Sequence, residues 1–265
     1  CPNRDGRIGT GGCTFCSEGG SGEFAAGIAP VSEQIEEAKA LISKKTDAKQ
    51  FIAYFQSYTN TYGDPKRLEK LYREVLEEED ILGLSVGTRP DCISPEILSV
   101  LGELNQKKPV WVELGLQTIH EKTAERIHRG YPLEVFEDAY KRLKEASLTV
   151  VVHVILGLPG ETREDMLGTV SYLAKHLSPG DGVKLQLLHV LRGTALAGEY
   201  ERDPFHILTL EEYRDLVVEA LRILPKDLVI HRITGDGPKS LLIEPKWSGD
   251  KKRVLNTLNR AIAEA

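Results

Sequence analysis

Six short apolar runs rich in branched residues alternate with longer amphipathic stretches, and this alternation restricts the fold more than any other feature of the chain. The runs are Phe51–Gln56 (FIAYFQ), Ile81–Val86 (ILGLSV), Val110–Leu116 (VWVELGL), Val150–Leu156 (VVVHVIL), Val183–Val190 (VKLQLLHV) and, more weakly, Leu228–Ile233 (LVIHRI). Most are close to continuously apolar, as parallel strands covered on both faces must be. Between them the 3.6-residue period predicts helices over about 31–45, 64–79, 94–105, 132–147, 161–177 and 209–223, with a last one near 250–264. Ser32 after Pro30, Asp64 before Pro65 and Ser94 before Pro95 read as helix starts, because their side-chain oxygens can accept the first free N–H groups. Strand and helix in turn mean βαβ units and a parallel sheet. Five or six units suit a (β/α) barrel, full or partial, better than a helix bundle, with a doubly wound sheet as the competing arrangement.

Composition narrows the function classes. The chain has 265 residues, 41% of them hydrophobic, which suffices for a real core. Its formal net charge of −6 excludes a polycation that grips nucleic acid everywhere, though not a local basic patch. No apolar run approaches the roughly 18–20 residues that span a bilayer, and no secretory h-region is evident. A cytoplasmic protein with no membrane partner is therefore expected. There is no internal repeat or obvious linker. Residues 1–200 are expected to form the core and 201–265 a C-terminal helical extension packed on it.

The expected strand ends collect polar residues, and in parallel α/β folds that is where sites lie. The first run leads into Gln56-Ser57-Tyr58-Thr59-Asn60-Thr61-Tyr62, and the second into Thr88-Arg89-Pro90-Asp91. The third carries Glu113, Gln117 and Thr118; the fourth carries His153 and then Gly157-Leu158-Pro159-Gly160-Glu161. The fifth holds Lys184, Gln186 and His189. Polar groups inside apolar strands are costly when unpaired, so this pattern points to an enzyme or a binder of a polar ligand.

Four cysteines are too few for a disulfide scaffold in a chain of this size, and three of them crowd the first sixteen residues. Cys1, Cys13 and Cys16 form a C-x11-C-x2-C arrangement among glycines. Structural zinc would need a fourth ligand, and no histidine occurs before His120. A Cys13–Cys16 redox pair would leave Cys1 unexplained. A [4Fe–4S] cluster held by three thiolates would keep one iron open, with glycine N–H groups near its sulfides. Cys92 reads as a small buried hydrophobe.

The cysteine loop and the motifs after it, CPNRDG…GGCTFC, FQSYTNTY, TRPD, VELGLQT, HRGY and HVILGLPGET, resemble the radical S-adenosylmethionine (SAM) superfamily. Within it they are similar to the MnmL/YhcC family, near relatives of Elp3-type and coproporphyrinogen-oxidase-type enzymes. The resemblance runs from Cys1 to about residue 200, and Pro245-Lys246-Trp247-Ser248 also fits. It implies a partial (β/α)6 TIM-type barrel. Cys1, Cys13 and Cys16 would hold a [4Fe–4S] cluster, and SAM would chelate the fourth iron and give a 5′-deoxyadenosyl radical on reduction. Gln56, Ser57, Tyr58 and Thr59 would lie by the SAM amino group, where the superfamily pattern has a Gly-Gly motif. Gln117 would approach SAM, Arg129 would pair with its carboxylate, and His153 would stand where relatives place an acid on its ribose. In relatives the first barrel strand precedes the cysteine loop, so a strand is expected upstream of Cys1, and Cys1 is expected to fray and leave the cluster incomplete without it.

The same resemblance implies a tRNA substrate: 5-carboxymethylaminomethyl-uridine at the wobble position, converted to 5-aminomethyl-uridine. Arg89, Lys184 or His189 would hold the substrate carboxylate. A reducing donor such as flavodoxin or ferredoxin is implied; nothing in the sequence sets an oligomeric state. Arg4 with Arg7, Lys107-Lys108, Arg126 with His128 and Arg129, and Lys251-Lys252-Arg253 are the basic groupings, the first being favoured for tRNA because it borders the cysteines. Tyr58, Tyr62 and Tyr131 are candidates to stack a base. The alternatives are a radical SAM enzyme acting on a small molecule or protein side chain, and a non-catalytic iron–sulfur or zinc module.

Overall fold

The elements follow one another as α1 (Val31–Ser43), β1 (Phe51–Phe55), α2 (Pro65–Glu77), β2 (Ile81–Thr88), α3 (Pro95–Asn105), β3 (Val110–Gln117), α4 (Glu121–Arg126), α5 (Leu133–Glu145), β4 (Thr149–Leu156) and α6 (Arg163–His176). Then come β5 (Gly182–Leu187), β6 (Val190–Leu191), α7 (Ala195–Arg202), α8 (Leu210–Ile223), β7 (Val229–Arg232), β8 (Leu242–Glu244) and α9 (Lys251–Ala263). This computed structural model describes residues 1–20, 22, 25–235 and 237–265. Six strands form a sheet in the order β1-β2-β3-β4-β5-β7, which is chain order apart from the short β6.

The chain divides into two compact units: Cys1, Gly19–Gly115 and Glu134–Val150 in one, and Pro2–Glu18, Leu116–Leu133 and Val151–Ala265 in the other. In the first, β1 pairs with β2 and β2 with β3, both parallel, with Val86 opposite Val112 and Thr88 opposite Leu114. β2 is buried at every position except Leu82, as its continuous apolar sequence requires. Asp64 and Ser94 cap α2 and α3 as expected, accepting from the Arg67 and Ile97 N–H groups, with Pro65 and Pro95 in the first turns. Ile97, Leu101 and Leu104 of α3 and Phe136, Ala139 and Leu143 of α5 supply much of its core.

In the second unit, β4 pairs with β5 and β5 with β7, again parallel. Met166, Val170 and Leu173 of α6 and Tyr213, Leu216 and Val217 of α8 are buried. Residues 201–265 belong to this unit with β4 and β5. α6 and α8 both start with capping boxes, at Thr162/Asp165 and Thr209/Glu212.

Three expectations need correction. Ser32 is not a cap: α1 starts after Pro30, with no side-chain cap bond, and Ser32 lies inside the helix. The run Val183–Val190 is not one strand. It leaves the ladder after Leu187, where the Leu188 N–H donates to the Leu156 carbonyl, and resumes as β6, antiparallel to β8. The short helices α4 and α7 escape a periodicity search because 6 and 8 residues are too few to display a period. Among the described residues no helix is long and apolar enough to cross a membrane.

Candidate active site

The cysteine loop is built by contacts within the second unit. Phe15, between Cys13 and Cys16, packs against the apolar cluster of Ile127, Ile155, Leu158, Leu188, Val190, Leu196 and Ala197. The loop backbone is held from two sides: Thr14 N–H donates to the Ile127 carbonyl (3.0 Å), and Leu196 N–H donates to the Thr14 carbonyl (2.8 Å). The Cys16 N–H closes a turn onto the Cys13 carbonyl at 3.0 Å.

Two residues not singled out as site residues from the sequence complete the loop. Asn3, 5% exposed, donates its amide to the His128 carbonyl (2.6 Å) and faces the Cys13 Sγ at 3.8 Å. Arg4 donates to the carbonyls of Cys16 (3.1 Å) and Ser17 (2.6 Å). Its shaft crosses Gly12, where a Cβ would stand 2.8 Å from Nε, and Gly12 also has a φ of +83°. The sequence hint was their place in CPNRDG, but the partners lie too far along the chain for local reading.

Cys1, Cys13 and Cys16 are outside any disulfide and partly exposed; Cys1 belongs to the first unit and the other two to the second. Among the described residues no three His, Cys, Asp or Glu side chains are gathered closely enough to hold a metal ion. The donor chemistry of the loop still suits an iron–sulfur cluster, for thiolates are soft ligands. Thr14 Oγ1 and Ser17 Oγ, each next to a loop cysteine, are buried without a hydrogen-bond partner. A hydroxyl in that state is costly, and a sulfide acceptor would satisfy it. Cys92 is buried, with its thiol pushed up to about 12 by burial and then by Asp91, which suits a packing residue and not a ligand.

Among the residues implied for SAM, Tyr58 and Gln117 share an unusual backbone. Their φ angles are +61° and +63°, strain of about 1–3 kcal/mol each that neighbouring contacts must hold. Tyr58 N–H donates to the Gly20 carbonyl (2.9 Å), and a Cβ on Gly20 would strike the Tyr58 ring. Gln56, Ser57 and Thr59 lie on the same turn after β1, where Thr59 Oγ1 is buried and unpartnered. Asn60 fixes this turn, its side chain donating to the Phe55 (2.9 Å) and Gly87 (2.8 Å) carbonyls. At the end of β3, Gln117 accepts from the Tyr131 hydroxyl at 3.3 Å. His153 Nδ1 lies 3.1 Å from the Gln186 amide on the next strand.

Arg129, implied for the SAM carboxylate, is buried and engaged. It is 1% exposed, and its guanidinium donates to the carbonyls of Tyr131 (2.9 Å), Leu116 (3.0 Å) and Thr118 (2.6 Å) and to Glu121 (3.2 Å). At least four of its five N–H donors are thus in use, and it fastens the end of β3 to the following turn instead of offering a fork to an incoming carboxylate. Arg89 makes a bidentate pair with Asp91, both bonds 2.9 Å.

Lys184 and His189 both lie in the second unit. Lys184 is 7% exposed and sits in register between His153 on β4 and Arg232 on β7. Directly paired residues of a regular parallel ladder share a face, so His153 and Lys184 stand together, while the β5–β7 register shifts just before Lys184. His189 Nε2 lies 3.0 Å from Ser248 Oγ. Glu161, in the GLPGE turn, accepts from Thr118 Oγ1 at 2.5 Å, and burial raises its carboxyl above the ordinary glutamate value.

The Radical SAM superfamily profile matches residues 5–173, and the Radical_SAM C-terminal domain matches residues 180–264. YtqA of Bacillus subtilis (strain 168) is 40% identical over 263 residues, covering 99% of this chain and 81% of that protein. YhcC of Escherichia coli (strain K12) is 35% identical over 265 residues, covering 100% and 84%. The solved structure of the archaeal Methanocaldococcus infernus Elp3, with an N-terminal deletion, superposes with a TM-score of 0.69 at 21% identity, over 87% of this chain and 58% of that one. At that identity the likeness shows the fold alone, mixed α/β with C-terminal helices. With relatives aligned along almost all of it and a family match across most of its strands, this chain belongs to the radical SAM superfamily, enzymes that work with a [4Fe–4S] cluster and S-adenosylmethionine.

Proposed function

We propose that this radical SAM enzyme converts the 5-carboxymethylaminomethyl group of a tRNA wobble uridine to 5-aminomethyl. The observation that carries the reading is the grouping of His153 with Lys184 and Gln186 across β4 and β5. A buried lysine beside a histidine and a glutamine amide is the type of grouping that holds a carboxylate. A substrate carboxylate is an anion of the right kind, and the buried Lys184 ammonium gives it a strong, poorly screened contact.

When bound, the cluster and SAM would supply a radical that takes one hydrogen atom from the methylene next to the carboxylate, SAM being the two-electron acceptor overall; hydrolysis of the resulting imine would break the C–N bond, release the two-carbon unit as glyoxylate and leave the 5-aminomethyl amine. The protein's residues position and exclude. Holding the carboxylate on Lys184 presents the adjacent methylene, whose C–H bond is weakened between nitrogen and carboxylate. His153 and Gln186 restrain one another next to that position, on the same strands. Asn3 and Arg4 keep the cysteine loop in place.

The test is nucleoside mass spectrometry of tRNA from cells with and without the gene, and from cells carrying Lys184→Met. Loss of the gene should leave 5-carboxymethylaminomethyl-uridine in place of 5-aminomethyl-uridine and its further products, and Lys184→Met should reproduce most of that change. Unchanged wobble uridines in the deletion strain would sink the proposal.

A further inference from the structure

We infer that the exposed face of α9 is the surface on which this protein binds the phosphate backbone of RNA. The inference rests on the tRNA reading above and adds to it the place where the nucleic acid is held.

The chain carries 34 basic against 40 acidic residues, so phosphate contact has to be local. Of the basic groupings in the sequence, three have members committed to structural contacts. Arg4, in the pair favoured from sequence, is turned onto the Cys16 and Ser17 carbonyls. Lys108 donates to the Glu78 (2.9 Å) and Ile81 (2.6 Å) carbonyls. Arg126 is paired with Glu199 at 2.6 Å, and Arg129 is buried.

α9 differs. Its sequence, KKRVLNTLNRAIA, contains four cations and no acid. Val254 and Leu258 are buried, which fixes the helix on its apolar side, where it packs against α8. Lys252, Arg253, Asn256, Thr257 and Arg260, with the capping Asp250, line an open groove of about 500 Å³. Positions 253, 256, 257 and 260 follow the i, i+3, i+4, i+7 pattern of one helix face, about 10 Å long. Lys252, Arg253 and Arg260 are exposed and form no ion pair among the described residues.

The arrangement works against the helix itself. Cations in a first turn oppose the helix dipole, and here Lys251, Lys252 and Arg253 stand together with the capping Asp250 as the acid at that helix start. Among the described residues no ion pair compensates Lys252 and Arg253. A polyanion would, and the Asn256 and Thr257 side chains between the cations are of the type that donates to phosphate oxygens.

The experiment uses the full chain and unmodified tRNA transcript, with binding followed by fluorescence anisotropy over a series of KCl concentrations. The variant is Lys252→Gln/Arg253→Gln/Arg260→Gln, with circular dichroism and thermal unfolding to confirm a wild-type fold. Expected are a loss of affinity of at least tenfold at low salt and a fall of about 2–3 in the slope of log K against log salt. A variant with the wild-type affinity and slope would overturn the assignment of α9 while leaving the tRNA reading intact. A wild-type protein that binds no tRNA at any salt would overturn both. Tight, α9-dependent tRNA binding with unchanged wobble uridines in the deletion strain would support the surface and remove the proposed reaction.

Discussion

The side-chain amide of Asn3 reaches the His128 carbonyl, 125 positions on, at 2.6 Å and the Cys13 sulfur, 10 positions on, at 3.8 Å. With the cluster bound, an N–H directed at a ligand sulfur stabilises the reduced state, in which more electron density resides on sulfur. Asn3→Leu keeps the bulk and removes the donor. Its cluster should have a more negative midpoint potential than wild type at the same iron and sulfide content, measured by anaerobic spectroelectrochemistry. An unchanged midpoint would mean that the amide does not act on Cys13.

Arg129 acts as a fastener, so its replacement should be felt without any SAM present. Arg129→Gln leaves the Leu116, Thr118 and Tyr131 carbonyls short of donors in a buried place. At about 1–3 kcal/mol for each unsatisfied group, partly relieved by water, a loss of about 3 kcal/mol is expected. Urea unfolding of the apoprotein measures it. Wild-type stability in this variant would return Arg129 to the role of a SAM ligand.

The four cysteines should separate by reactivity. With its thiol pushed up to about 12, Cys92 is thiolate in only about one molecule in ten thousand at pH 8. Iodoacetamide added to native apoprotein should label Cys1, Cys13 and Cys16, which are partly exposed, and leave Cys92 untouched until denaturant opens the fold. Peptide mass spectrometry reads each site. Rapid labelling of Cys92 in folded protein would contradict its burial beside Asp91.

Where sequence reading worked, the signals were local. Asp64 and Ser94 cap helices because a side-chain oxygen and an N–H three residues on need nothing else. The apolar runs became strands because both faces of β2 and β5 are covered, as a run without alternation demands. Where it missed, the deciding partner was distant. The resumption of the chain as β6 after Leu187 depends on pairing with β8, more than fifty positions on.

The sequence by itself determined the strand–helix alternation, the cysteine spacing and the family, since these depend on residue type and short separation. Only the tertiary structure decided what each charge does. Arg4, Arg89 and Arg129 are alike as letters, yet one holds the cysteine loop, one closes on Asp91 and one fastens β3. Lys184 and Arg232 stand 48 positions apart and become neighbours only through the β5–β7 register. A guanidinium or ammonium binds whichever acceptor the fold brings within about 3 Å, and that choice is made by packing, which no local pattern encodes.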